Sequence, residues 1–73
     1  MNFLYQIITS AYVYTLYEED DHIFLHVLNL KNEETTDVFG VTKLMNVLNE
    51  DVEVTFTDII EVDDIISSIL VSD

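Results

Sequence analysis

The chain has 73 residues, fifteen of them acidic and only two basic, Lys31 and Lys43, for a formal net charge of -13. That length allows a single domain, residues 1–73, and an apolar content of 49% is too high for a disordered acidic tail. Two lysines cannot neutralise a phosphate track, so direct nucleic-acid binding is excluded, and with no cysteine so are disulfide staples and Cys-ligated metals.

In chain order, Met1 to Thr9 places Phe3, Leu4, Ile7 and Ile8 at spacings that suit a helical stripe and a strand equally. The uncharged run to Tyr17 mixes Asn2, Gln6, Thr9, Ser10 and Thr15 among its apolar residues. It reads as buried structure, without the basic n-region of a signal peptide. Ala11 to Tyr17 is rich in Tyr, Val and Thr, a strand composition. Proline is absent and Gly40 is the sole glycine, so acidic and amide residues must build the turns. Glu18-Glu19-Asp20-Asp21 is the first such turn and Lys31-Asn32-Glu33-Glu34 the second. Between them, His22 to Leu30 reads as a strand with Ile23, Leu25 and Val27 on one face and Phe24, His26 and Leu28 on the other. The two strands form an antiparallel hairpin across the first acidic turn.

Val38, Val41, Leu44, Met45 and Leu48 then recur at steps of three and four, which predicts an amphipathic helix over 36–49. Thr36 or Asp37 would cap it and Gly40 would weaken it. Val52 to Thr57 alternates, and predicts a strand with Val52, Val54 and Phe56 facing the core. Asp58-Ile59-Ile60-Glu61 matches a capping box with Asp58 at the N-cap. The helix it opens would turn Ile59, Val62, Ile66, Ile69 and Leu70 inward. A rival register extends the strand through Val62 and starts the helix at Asp63 or Asp64. The expected order is β-β-α-β-α, an α+β domain with an antiparallel sheet of about three strands and two helices.

Nothing in the pattern calls for catalysis. His22 and His26 share one face of a strand and read as core or interface side chains. With a carboxylate of the first turn they make at most a weak zinc site. The acidic pairs lack the alternating ligands and central glycine of a calcium loop, and one glycine cannot build a phosphate loop. The chain is also short of walls for a pocket. No catalytic residue, cofactor or metal is therefore expected.

The charge itself asks for an explanation, because soluble surfaces ordinarily mix both signs. Residues 44–73 hold eight acids and no base. With the predicted third strand beside the last helix, they would form one negative surface, and Glu18 to Asp21 would extend it or make a second pole. The candidate partner-binding residues are Glu18, Glu19, Asp20 and Asp21, then Glu50, Asp51 and Glu53, then Asp58, Glu61, Asp63 and Asp64. Each would pair with a lysine or arginine. Such a surface repels nucleic acid and attracts proteins whose grooves hold it. Exposed charge alone gives little net affinity, so Tyr5, Tyr12, Tyr14 and Tyr17 are either interface aromatics or sheet packing.

In charge and size the chain resembles small virus-encoded DNA-mimic inhibitors, which block restriction, repair or CRISPR nucleases, or RNA polymerase. The resemblance implies a non-enzymatic inhibitor in the host cytoplasm that evades host defence by filling a nucleic-acid groove. The alternative is a structural or regulatory homo-oligomer, such as a homodimer, in which the acids serve solubility and the apolar excess makes the interface. Changes at Val38, Leu44, Phe56 or Ile66 would then abolish function. No apolar segment reaches the length of a membrane span, and anionic membranes would repel the chain, so a cytoplasmic protein without a membrane partner is expected.

Overall fold

Alternation in the first forty residues resolves into four strands rather than two. In the computed structural model, which describes residues 1–71, they are β1 (Asn2–Ile8), β2 (Tyr12–Glu19), β3 (His22–Asn29) and β4 (Thr35–Phe39), followed by α1 (Val41–Glu50) and α2 (Phe56–Val71). The strands form one antiparallel meander in the order β1-β2-β3-β4. The α+β class, the antiparallel sheet and the two helices are as expected. The strand count is four, and the order is β-β-β-β-α-α.

The turns are made without proline. Between β1 and β2, the Thr9 hydroxyl accepts from the backbone N–H groups of Ala11 and Tyr12, at 3.3 and 3.0 Å. Between β2 and β3, Glu19 pairs directly with His22, leaving a two-residue loop with Asp20 at φ 51° and Asp21 at φ 66°. Two positive φ values match the right-handed twist of the flanking strands, and aspartate tolerates them better than most residues. Between β3 and β4, the Asn29 and Asn32 side chains accept from the backbone N–H groups of Lys31 and Glu34.

Two expectations are corrected. The predicted helix over 36–49 begins only at Val41, because 35–39 pairs with β3 as an edge strand. Thr35, Thr36 and Val38 are β-branched and suit that pairing. Val38 reaches the common core from the strand rather than from a helix, which is how it mimicked a helical step. Gly40 is the hinge between the two states, with φ 98° and ψ 132°. A Cβ there would meet no atom within 4 Å, so the constraint is purely one of backbone. We predict that Gly40→Ala lowers stability by about 1–3 kcal/mol, read from chemical unfolding.

The second correction concerns 52–57, which is not a strand. Residues 51–55 form a turn closed by Val54 N–H to Asp51 C=O at 3.1 Å and by Glu53 N–H to the Asp51 carboxylate at 2.9 Å. Thr55 then caps α2. Its hydroxyl accepts from Asp58 N–H at 3.1 Å, and the Asp58 carboxylate accepts from Thr55 N–H at 3.3 Å. The capping box therefore runs from Thr55 to Asp58, not from Asp58 to Glu61. Of the three residues expected to face the core only Val54 does. Val52 is 98% exposed and Phe56 77% exposed.

Both helices cover the same face of the sheet, α1 over β3 and β4 and α2 against β1. Leu44 and Leu48 of α1 and Val62 and Ile66 of α2 meet Ile7, Tyr14, Leu16, Ile23 and Leu25 of the sheet. Leu70, expected inward, is exposed. Among the described residues, the opposite face of the sheet carries no helix or further strand layer. Among the described residues, no helix is long and apolar enough to cross a membrane.

Candidate partner-binding surfaces

The strands set where the carboxylates stand. β2 runs from the Thr9–Tyr12 turn to the hairpin that carries Glu18 to Asp21, a span of about 23 Å at ordinary strand rise. Glu50, the last residue of α1, and Asp51 and Glu53 in the turn after it lie at the far end of that span, where they share a groove with Ala11 and Tyr12. The candidates thus separate into two poles, with α2 running between them. Its first residues adjoin the Asp51 turn, and its Leu70 lies beside Asp21 and Gly40 at the hairpin end. Glu61, Asp63 and Asp64 are exposed on the way. With no strand at 52–57, the single sheet-and-helix surface expected there is replaced by this loop-and-helix track, and the hairpin forms a pole of its own.

Three of the candidate acids are tied to the strands or to the β1–β2 turn. The Tyr14 hydroxyl donates to Asp51 at 2.6 Å, the Tyr5 hydroxyl to Asp58 at 2.8 Å, and the Ser10 hydroxyl and N–H to Glu53. Burial, then the Asp51 hydrogen bond, push the Tyr14 phenol well above its ordinary value, so it stays a donor. The Asp58 hydrogen bond raises Tyr5 in the same way. Reciprocally, the Tyr5 hydrogen bond holds Asp58 below the usual carboxylate range, against the effect of its own desolvation. These bonds join the helical layer to the sheet and fix the carboxylates in place.

The Tyr5–Asp58 bond carries a pH signature. A carboxyl whose folded pKa is depressed contributes stability above its unfolded value, and loses it as pH falls through the folded one. Tyr5→Phe is therefore expected to lower stability by about 1 kcal/mol at neutral pH. The gap between the two proteins should close as pH falls below the ordinary aspartate range. Urea unfolding at a series of pH values checks this, and a pH-independent gap would contradict it.

The tyrosines divide. Tyr14 is in the core, Tyr5 packs beside it, and Tyr12 stacks on Tyr14 with ring centroids 5.7 Å apart. Only Tyr17 lies on the helix-free face. There the register aligns three rows across all four strands. Ile8, Val13, Leu28 and Thr35 form one, Gln6, Thr15, His26 and Asp37 the next, and Phe3, Tyr17, Phe24 and Phe39 the third. In the polar row Gln6 donates to Thr15 at 3.2 Å, and His26 Nδ1 meets the Asp37 carboxylate at 2.7 Å. In the aromatic row the centroid spacings are 6.4, 5.5 and 5.3 Å. Comparison with protein-family models, with curated proteins and with solved structures found no match to the chain.

Sequence reasoning missed this face. Alternation in β3 put Phe24 and His26 together, which was the available signal. Phe39 and Asp37 fall within the stretch whose spacing predicts a helix, and Phe3 lies in a segment whose pattern suits helix and strand equally. Among the described residues, neither lysine forms an ion pair with a carboxylate, and no three His, Asp or Glu side chains converge to hold a metal ion. The negative field is therefore left unneutralised by the chain's own bases.

Proposed function

We propose that this is a non-catalytic acidic protein that occupies the basic nucleic-acid-binding surface of another protein and excludes nucleic acid from it. The observation that carries the reading is that, among the described residues, carboxylates with no lysine partner stand at both ends of β2, a strand whose ordinary rise spans about 23 Å, with the exposed acids of α2 between them. At the spacing of stacked base pairs, that separation corresponds to about seven steps of duplex DNA. The Asp51, Glu53 and Asp58 carboxylates are held by hydrogen bonds, so less side-chain freedom is lost when a partner binds. A negative field of this size would steer association with a basic groove.

The test is capture from a host lysate at low salt, followed by a salt gradient and mass spectrometry. The reading expects a nucleic-acid enzyme released at moderate salt, with capture blocked by duplex DNA or RNA. Binding that survives about 1 M salt and ignores nucleic acid would overturn it.

The exposed Phe3, Ile8 and Phe39 of the uncovered sheet face support a second reading, a structural or regulatory homo-oligomer. Sedimentation over a wide concentration range separates the two, since the second reading needs a stable oligomer at micromolar concentration. Of the four positions named for that reading, Leu44 and Ile66 are buried within one chain and Val38 packs against its core. Their substitution would report folding rather than assembly. Only Phe56 is exposed enough to probe an interface.

A further inference from the structure

The aromatic row has properties that packing within one chain does not account for. Phe24, at its centre, is only 6% exposed although no helix covers it, because Tyr17 and Phe39 flank it on both sides. The ends of the row are open, with Phe3 and Phe39 each 59% exposed. Tyr17, Phe24 and Phe39 line an open groove of about 470 Å³ with Met1, His22 and His26; its acids are Glu19, Asp20 and Asp37, of which Asp37 already holds His26 Nδ1 at 2.7 Å. The ring surface left open is that of Phe39 at the edge of the sheet, and an exposed aromatic beside carboxylates suits a planar cation. The ring quadrupole attracts the charge from below, and the carboxylates take its N–H donors at the side.

We propose that this groove receives an arginine side chain of the basic partner. The assignment rests on the proposed affinity for basic surfaces, and it extends the hairpin pole onto the helix-free face of the sheet. Charge selects the occupant. A nucleobase would bring phosphates against Glu19, Asp20 and Asp37. A second copy of the chain would bring its own groove carboxylates, on a body that already carries -13. A guanidinium meets neither obstacle. It also stacks on rings more readily than an ammonium does, which sets arginine ahead of lysine.

The experiment uses the full chain with hexa-arginine and hexa-lysine peptides as probes, titrated at about 50 mM salt and followed by NMR and by fluorescence anisotropy. In the unaltered protein, hexa-arginine is expected to shift the ring resonances of Tyr17, Phe24 and Phe39 and to bind tighter than hexa-lysine. Glu19→Gln with Asp20→Asn should weaken hexa-arginine by about tenfold, and Asp63→Asn with Asp64→Asn, which remove equal charge from α2, by about twofold at most. Phe39→Ala, at an exposed position on an edge strand, should abolish the preference for arginine while circular dichroism shows the fold retained. Unmoved ring resonances, or an arginine preference that survives Phe39→Ala, overturn the groove whatever the double variants show and leave the acidic-surface reading standing. If neither peptide binds, both readings are overturned. Ring shifts that grow with protein concentration alone assign the groove to a second copy and overturn the proposal.

Discussion

Leu48→Ala is expected to remove about 3 kcal/mol of folding stability, which is more than half of what a domain of this size ordinarily holds. Leu48 is fully buried, and belongs to the cluster in which α1 and α2 meet the sheet. Truncation leaves a cavity that two short helices cannot close without moving on the strands. Thermal unfolding should shift down by about 15 °C or more. Val52→Ala serves as the contrast, because its side chain projects into solvent and its loss should cost less than about 0.5 kcal/mol. Urea unfolding of the two variants side by side checks the pair. A large effect at Val52 with a small one at Leu48 would mean that 52–57 is the core strand its alternation suggests.

That contrast shows where the fold could be read from residues and where it could not. The β2–β3 hairpin was legible because Tyr, Val and Ile alternation is bounded on both sides by acidic and amide turn residues. The inward stripe of α1, from Val41 to Leu48, was legible for a similar reason. The strand Thr35–Phe39 was not, because Val38 sits three residues before Val41 and imitates a helical step. The stretch 52–57 misled in the opposite sense. Alternation over six residues sets a period but supplies no partner strand, and two side-chain bonds to local backbone, from Asp51 and from Thr55, decided for a turn and a cap. The candidate acids were visible as composition. Their division into two poles was not, since it depends on the length of β2 and on which end of the sheet the helical turn meets. The aromatic row depends on the register of all four strands, which no local pattern encodes.

Neutralising the hairpin pole is the functional change with the largest expected effect. Glu18→Gln, Glu19→Gln, Asp20→Asn and Asp21→Asn together remove four charges while keeping side chains of similar size. At about 0.2–1 kcal/mol for each exposed pair, binding to the basic partner should weaken by about 4- to 1000-fold at low salt. The fold should not suffer. Asparagine accepts the positive φ of positions 20 and 21 at least as well as aspartate does, and the change relieves repulsion within a chain of -13. Anisotropy measurements against the captured partner, with unfolding curves alongside, separate the two effects. Unchanged affinity would remove the hairpin from the interface and leave the α2 track and the 50–53 turn to carry it.

Added salt should act in opposite directions on folding and on binding. Screening stabilises a chain whose carboxylates repel one another, and it weakens the attraction of those same carboxylates to a basic surface. A rise in melting temperature with salt, together with a fall in partner affinity, is the joint signature expected of this molecule.

The central claim is that the protein and nucleic acid compete for one basic site. Its most direct test is displacement of labelled duplex DNA or RNA from the captured enzyme by increasing amounts of the protein at fixed low salt. Complete displacement at near-stoichiometric protein, with the apparent affinity falling as competing nucleic acid rises, is the predicted result. A ternary complex, in which the protein and the nucleic acid sit on the enzyme together with neither affinity altered, would contradict it.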